Sequence, residues 1–372
     1  MSRRTLNVAE LSQIRARLGE AVIDGQKWRE LLESMCRAIG AEGGSLRQFP
    51  NRTVDTPYTA SMEHLTKIYF REGWNLRDTR TLTLIQRPVK SAAFVDSAVF
   101  KYDEIKSLFR RDPYFNDFLG LGKLKWGAWV QFRVGKHPWL MTFQRTDAQG
   151  SFENVDMRLI QPFSQSLSEA ANLSEAVGHR VLSGVLDALH LVQWPAVALD
   201  STGAVLGSNA SADEMFDNSI RVNNGRLKVS DELATQRLNA LYSRLKLVSE
   251  ASGIYADPII VRRFQKSPIV LNVLPIPVAA KNPFLGARIL LIFRDSSAPA
   301  LIKPNVLQGL FRFTSAETKL AILLGAGHSL ESAAQQLSLS RETIRTQLKS
   351  LFTKTETHRQ GELVALLARF RI

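Results

Sequence analysis

Apolar residues recur at helical spacing toward the C-terminus of the chain. The stripes Leu320–Leu324 and Ile344–Leu351 each place leucine or isoleucine at positions three and four apart. Residues at these spacings lie on one face of an α-helix, which can then pack against a neighbour. The pattern predicts short amphipathic helices that share one core.

Polar residues at the starts of these stripes predict where the helices begin. Thr314 and Glu317 have the spacing of a capping box, in which each side chain bonds the other's backbone amide. Ser329 and Ser340 are placed to cap a second and a third helix, and Thr357 with Gln360 predicts a capping box for a fourth. We expect an all-α, four-helix domain over residues 309–372, preceded by a Ser-, Ala- and Pro-rich linker at 298–308.

The first three hundred residues mix helical periodicity with strand patterns. We expect a first mixed domain over 1–165, with a helix near Met62–Arg71, and a second over 193–297. Between them, 166–192 keeps a helical period after Pro162 and predicts a connecting helix. The expected strands are Ser45–Phe49, Trp126–Val134, Trp139–Gln144, Trp194–Leu199, Ile259–Phe264, Ile269–Pro275 and Ala287–Phe293. The fold class is therefore α+β, with two mixed α/β domains followed by the helical one.

Composition and charge narrow the class of protein. The 372 residues exceed one ordinary core, and the net charge is +13. Residues 301–372 carry 10 basic against 5 acidic side chains, a balance that suits a polyanion. No apolar run is long enough for a membrane span, and the N-terminus lacks a signal-peptide pattern. Cys36 is the only cysteine, which excludes an intramolecular disulfide and any multi-cysteine metal site and favours the cytoplasm.

The third C-terminal helix carries candidate nucleic-acid contacts. Its face away from Ile344 presents Arg345, Thr346 and Lys349 outward. A helix with this face can enter the major groove, where Arg and Lys favour guanine. The alternative is an ordinary solvated helix face.

Several segments together resemble the LuxR-type DNA-binding domain. They are Phe313-Thr314-Ser315-Ala316-Glu317, Gly327-His328-Ser329, Ala333-Ala334-Gln335-Gln336-Leu337, Ser340-Arg341-Glu342-Thr343-Ile344-Arg345 and Lys354-Thr355. The resemblance implies a helix-turn-helix whose DNA-binding residues are Ser340, Arg341, Thr343, Arg345, Thr346 and Lys349. In it, Arg345, Thr346 and Lys349 face bases, while Ser340 and Thr343 lie near phosphates.

The same resemblance places an acid and a base that can pair at Glu317 and Arg359. Two residues depart from the family's pattern, because Gln347 replaces a histidine and Glu331 replaces a basic or polar residue. Both departures concern sequence preference more than DNA binding itself.

The second mixed domain resembles a PAS domain. The resemblance rests on Trp194–Asp200, followed by Gly203, Leu206 and Asn209-Ala210. In that family, two strands joined by a tight turn end in an Asn-Ala that begins a helix. No His or Cys is identified as a haem or flavin attachment, and we expect no resident cofactor or metal.

The first mixed domain resembles a GAF-like sensor. Tyr69, Trp74 and Asp78 repeat a spacing found in the acyl-homoserine-lactone-binding domains of LuxR relatives, which implies a small-molecule effector site. Thr79 and Leu65 depart from that pattern, which has proline and tryptophan there. The alternative is that Asp78 pairs with Arg71, Arg77 or Arg80.

The function expected from the sequence is a bacterial, dimeric, DNA-binding transcriptional regulator whose N-terminal domains sense an unidentified ligand or partner. The expected partners are double-stranded DNA, a second copy of the chain and, as a further candidate, RNA polymerase. An enzyme is not expected, because the sequence lacks a Gly-rich phosphate loop and a Gly-x-Ser-x-Gly nucleophile motif. The open alternative is an adaptor whose C-terminal helices bind a protein.

Overall fold

Three antiparallel sheets and fifteen α-helices make up the part of the chain that the computed structural model describes. The described residues are 8–50, 56–246, 256–276, 281–295 and 304–370. They fall into two units, Met1–Phe293 and Arg294–Ile372. Mixed helices and sheets are consistent with the α+β class, and the first unit contains both segments predicted as mixed domains.

The first sheet has the strand order β1-β4-β3-β2 and separates two cores. Its strands are β1 (Gly43–Gln48), β2 (Ala93–Val95), β3 (Leu124–Val134) and β4 (His137–Thr146). Neighbours along β3 point to opposite faces, so Val130 joins the core on one face and Trp129 the core on the other. The three strands predicted in this region are confirmed.

Helices cover this sheet. They are α1 (Val8–Ile23), α2 (Lys27–Ile39), α3 (Glu63–Arg71), α4 (Thr79–Gln86), α5 (Asp96–Val99), α6 (Tyr102–Arg111), α7 (Asn154–Ile160) and α8 (Phe163–Leu191). The long α8 lies where the sequence predicts a connecting helix. Its first half packs through Leu167 into the core of the first sheet, and its second half packs through Leu182 and Leu186 onto the second sheet.

The second sheet has the strand order β6-β5-β11-β10-β9. Its strands are β5 (Ala196–Asp200), β6 (Val205–Ser208), β9 (Ile259–Arg263), β10 (Lys266–Pro275) and β11 (Ala287–Asp295); β7 (Ile220–Asn223) and β8 (Arg226–Val229) form a separate hairpin, and α9 (Ala210–Asp213) and α10 (Glu232–Leu245) lie between strands. The four strands predicted here are confirmed.

Asn209 fixes the junction between α8 and this sheet. Its side-chain oxygen accepts from the amides of Ala196 and Ala212, each at 3.0 Å. Its side-chain nitrogen donates to the carbonyl oxygens of Leu186 (3.2 Å) and Trp194 (2.8 Å). The side chain is 4% exposed, so all four bonds are shielded from water.

A loop before β11 inserts between helices of the first sheet's layer. Asn282 Nδ2 donates to the carbonyl oxygen and the hydroxyl of Ser174 on α8, at 2.8 and 2.9 Å. The ring of Phe284 packs edge-on against Trp28 and Trp139, with ring centroids 4.8 and 4.9 Å apart. Gly178 allows this approach, because a Cβ there would lie 2.9 Å from the Asn282 side chain.

Five helices form the described part of the second unit. They are α11 (Pro304–Phe311), α12 (Ser315–Gly325), α13 (Leu330–Leu337), α14 (Arg341–Thr355) and α15 (Gln360–Ala368). The expectation of four helices is wrong, because α11 begins inside the segment predicted as a linker and buries Leu307 completely in the shared core. Residues 298–303 of that linker lie outside the described residues.

The helix starts are those predicted for α12, α13 and α14. Thr314, Ser329 and Ser340 each accept a bond from the backbone amide three residues on. The capping box predicted from Thr357 is wrong. Helix α15 begins after Arg359, and Glu362 closes its first turn by accepting from the amides of His358 and Arg359.

No helix in the described ranges is long and apolar enough to cross a membrane.

Candidate nucleic-acid interface and ligand cavity

Helices α13 and α14 are joined by a three-residue turn. Ser338 adopts the left-handed conformation (φ 54°), and its amide donates to the carbonyl oxygen of Gln335 at 3.2 Å. The Leu339 amide donates to Ala334 at 3.0 Å, which satisfies another carbonyl at the end of α13. Ser340 then caps α14. The turn fixes the angle between the two helices.

One face of α14 is held in the core of the second unit. Ile344, Leu348 and Leu351 are buried together with Leu320 and Leu324 of α12. At about 100° per residue, this face fixes which side chains of α14 point outward.

Three cations follow the outward side of α14. Arg341, Arg345 and Lys349 are exposed and lie four residues apart, so they form a line on consecutive turns. Within the described part of the chain, none of the three has an ion pair. They are therefore available to contact phosphates or base edges without first breaking a salt bridge.

The hydroxyl groups predicted at this interface make local bonds. Ser340 Oγ accepts from the Thr343 amide at 3.1 Å and lies 2.9 Å from Thr343 Oγ1. Thr346 Oγ1 donates to the carbonyl oxygen of Glu342 at 3.0 Å. Ser340 and Thr343 thus stabilise the helix start, and Thr346 keeps its methyl group and one lone pair for an external partner. All six predicted residues are exposed on α14 or at its cap.

Glu317 anchors α14 to α12. Its carboxylate accepts from Lys354 Nζ at 2.7 Å, from Ser350 Oγ at 2.6 Å and from the Thr314 amide at 2.6 Å. Burial opposes ionisation, but the bonds from Lys354, Ser350 and Thr314 outweigh it and lower the pKa of Glu317 to about 2. The base that pairs with Glu317 is therefore Lys354, whereas Arg359 lies at the start of α15.

Gln347, which departs from the family's pattern, lies half-buried on α14. Its side-chain oxygen is buried without a hydrogen-bond partner in the described residues.

Two adjoining cavities lie in the first unit, between β1, β4 and the helices that cover them. The larger encloses about 580 Å³, including its mouth, and the smaller about 360 Å³. Arg47, Tyr114, Thr142 and Gln144 line both cavities. The larger one is mostly apolar, with walls that include Leu65, Phe70, Phe118 and Leu124.

The structure separates the three residues predicted to bind a ligand. Tyr69 lines the larger cavity and Asp78 lines the smaller, and the Tyr69 hydroxyl joins them by donating to Asp78 Oδ2 at 2.8 Å. Trp74 is buried in the aromatic core and lines neither cavity. Arg77 stacks on its ring, 4.2 Å from the centroid.

Asp78 also has a structural role. It caps α4 by accepting from the Thr81 amide at 2.9 Å, and its cationic neighbour is Arg47 at 3.9 Å. Arg80 instead pairs with Asp96 through two bonds of 2.9 Å. The alternative that Asp78 pairs with Arg71, Arg77 or Arg80 is therefore wrong.

Arg47 is the residue of the cavity that sequence reasoning missed. Its guanidinium lies 5.2 Å from the centroid of the Tyr69 ring, and its Nε donates to Ser45 Oγ at 2.7 Å. It lies 31 positions before Asp78 in the chain. Only the basic residue at the end of a predicted strand could have drawn attention to it.

No protein-family model and no curated protein sequence matches the chain. Solved structures that match parts of it include a complex of phage VqmA with DPO, at 14% identity and a TM-score of 0.21, covering 50% of this chain and 88% of that one. A Vibrio cholera VqmA–ligand–DNA complex matches at 14% identity and 0.22, covering 50% and 87%. The E. coli DhaR(N)–DhaL complex matches at 12% and 0.23, covering 79% and 95%. TM-scores this low do not establish a shared fold, so the function is argued from the residues of this chain.

Proposed function

We propose that this protein is a sequence-specific DNA-binding transcriptional regulator. The second unit is a LuxR-type helix-turn-helix domain made by α12–α15, and α14 is the helix that enters the major groove. The protein acts as a dimer on a site with two half-sites, and the first unit senses a small molecule or a partner. Its function is binding and not catalysis.

The line of exposed cations on α14 is the observation that carries this proposal. Arg341, Arg345 and Lys349 span two turns of a helix whose other face is fixed by the core and whose start is fixed by Ser340. Neutralising phosphates with such side chains releases counterions, and an arginine can bond guanine O6 and N7. A rigid helix holds them in the spacing that base readout requires.

The cavities of the first unit are the proposed effector site. The apolar wall of the larger cavity suits the body of a small molecule, and Arg47 and Asp78 offer polar contacts at its inner end. An effector can change DNA binding only through unequal affinity for the two states of the protein. A Leu65→Trp variant, which fills the larger cavity, should lose any small molecule that co-purifies with the wild-type protein and is detected by mass spectrometry of the extract.

The test of the main proposal is genomic footprinting of the intact protein beside an Arg345→Glu/Lys349→Glu variant. The matched control is Lys319→Glu, which reverses an exposed cation on α12. We expect discrete peaks that share a short inverted repeat, retained in the control and lost in the double variant. Each single reversal should weaken a specific site by at least about 1–3 kcal/mol.

Other results would redirect the assignment. Peaks that persist in the double variant would refute the role of α14 in DNA binding. Absence of DNA binding by the wild type, together with a protein partner that both forms retain, would favour the adaptor function. If RNA polymerase is a partner, its recruitment should follow the DNA-bound form.

A further inference from the structure

A second apolar stripe on α8 faces away from the core of the first unit. Its outermost members are Leu173, 57% exposed, and Leu191, 78% exposed. Between them, the stripe continues as a run that we call the α8 seam: Val177, Val181, Gly184 and Ala188. At about 100° per residue, these six residues lie within about 80° of one another around the helix.

The seam is distinct from the face that packs α8 into the protein. The packed face is centred near Gly178, Leu182 and Leu186, which are buried. This face lies about 120° away from the seam around the helix axis. Val181 on the seam is 40% exposed. A contiguous apolar stripe on an otherwise solvated helix face marks an interaction surface.

We propose that the seam binds the same seam of a second copy of this chain, with the two helices antiparallel. The inference rests on the proposed function to the extent that a regulator on a two-half-site DNA needs a dimer, and it identifies the surface and its orientation. In a twofold dimer each patch must be complementary to itself. Size and charge along the seam meet that requirement in one orientation.

Side-chain size favours the antiparallel arrangement. The first half of the seam carries the larger Val177 and Val181, and the second half carries the small Gly184 and Ala188. Antiparallel helices place Val177 against Ala188 of the other copy and Val181 against Gly184, so that large packs on small in every layer. Parallel helices place glycine on glycine and leave a gap.

The ends of the seam agree with the same register. A pairing of Val177 with Ala188 also brings Leu173 of one copy next to Leu191 of the other. The two most exposed leucines of α8 then cover each other at both ends. In the parallel arrangement each leucine meets only its own counterpart.

Charge on the open flank of the seam favours the same orientation. Arg180 and Asp187 lie seven residues apart on the flank away from the packed face. In the antiparallel pair, Arg180 lies within reach of Asp187 of the other copy, and symmetry repeats the contact. In-register parallel helices bring neither residue to an opposite charge. Such exposed ion pairs contribute little to stability but select the orientation.

Disulfide trapping in the full-length protein separates the arrangements. Two variants, Val177→Cys and Ala188→Cys, are prepared with tags of different size, mixed and mildly oxidised. We expect a mixed disulfide dimer and no dimer from either variant alone. In the antiparallel pair a residue at either position lies about 16 Å along the axis from its own counterpart. The wild type, whose single thiol Cys36 is buried, is the blank.

Each other outcome overturns the inference. Disulfide dimers of either variant alone would show parallel helices, and no cross-link in any mixture would show that the seam does not pair. The two proposals are separable, because Arg345→Glu/Lys349→Glu should abolish DNA binding and leave the cross-link intact. DNA footprints with two half-sites but without the cross-link would sink this inference and spare the function.

Two further variants test the contacts. Gly184→Leu should raise the dimer dissociation constant at least tenfold in analytical ultracentrifugation, and a Cβ at Gly184 meets nothing within 4 Å in the single chain. Gly19→Leu, at an equally open helical glycine, is the control. Arg180→Asp should weaken the dimer, and adding Asp187→Arg should restore it. A Gly184→Leu dimer as tight as the wild type would refute the close approach.

Discussion

Replacing Glu317 with glutamine should loosen the attachment of α14 to α12. The substitution keeps the shape of the side chain but leaves Lys354 without its carboxylate and weakens the bonds to Ser350 and Thr314. Folding lowers the pKa of Glu317 from 4.5 to about 2. At 1.36 kcal/mol per unit, the ionised carboxylate contributes about 3 kcal/mol at neutral pH. The side chain is 8% exposed, so solvent screens it little.

The contribution should depend on pH in a defined direction. Because the folded pKa is the lower one, the stabilisation is complete above pH 4.5 and is lost as the pH falls toward 2. The same two values leave about 1.4 kcal/mol at pH 3. We expect the difference in stability between the wild type and Glu317→Gln to shrink accordingly between pH 7 and pH 3.

Hydrogen exchange of the α12 and α14 amides in the full chain, read by mass spectrometry, measures this stability locally. Glu331→Gln, at an exposed carboxylate on α13, is the control and should change protection little. A difference between the wild type and Glu317→Gln that stays constant from pH 7 to pH 3 would refute the ionic origin of the anchor. A difference below about 0.5 kcal/mol at pH 7 would refute its magnitude.

Three further substitutions test the first unit, whose unfolding in urea can be followed by fluorescence because all six tryptophans lie there. Asn209→Ala should cost about 2–4 kcal/mol, since it removes a helix cap and leaves buried backbone groups unpaired; a cost below 1 kcal/mol would contradict the four bonds. Asp96→Asn should cost about 3–5 kcal/mol by leaving a buried guanidinium without its counter-ion, and a neutral result would exclude that pair as a stabilising contact. Gly178→Ala should destabilise because its Cβ would meet Asn282, whereas Gly19→Ala, at an open helical site, should stabilise by up to about 1 kcal/mol. Equal effects at the two glycines would rule out the close approach.

Local signals in the sequence predicted much of the second unit. Caps such as Thr314 and Ser340 act within four residues, so their chemistry is visible in the sequence itself. The same reasoning failed at Thr357, because its hydroxyl pairs with that of Thr355 and Glu362 closes the helix instead. Several residue types can close a helix start, and sequence spacing does not decide between them.

Long-range pairs were beyond such reasoning. Arg80 meets Asp96 across 16 positions, and Arg47 reaches the cavity only because β1 lies beside β4. Nothing in the sequence distinguishes these arginines from the exposed ones. Asp78 shows the opposite case, since its spacing to Thr81 is that of a helix cap. That local signal was available and would have predicted α4.

The insertion of Phe284 beside Trp28 and Trp139 determines how this protein can be divided for study. A fragment that stops after α8 would contain every residue of the cavities but would lack Asn282 and Phe284. It would expose two tryptophan rings and release Ser174 from its bonds. Such a fragment should aggregate or lose its cavity, so ligand screening requires the first unit in full, through Phe293.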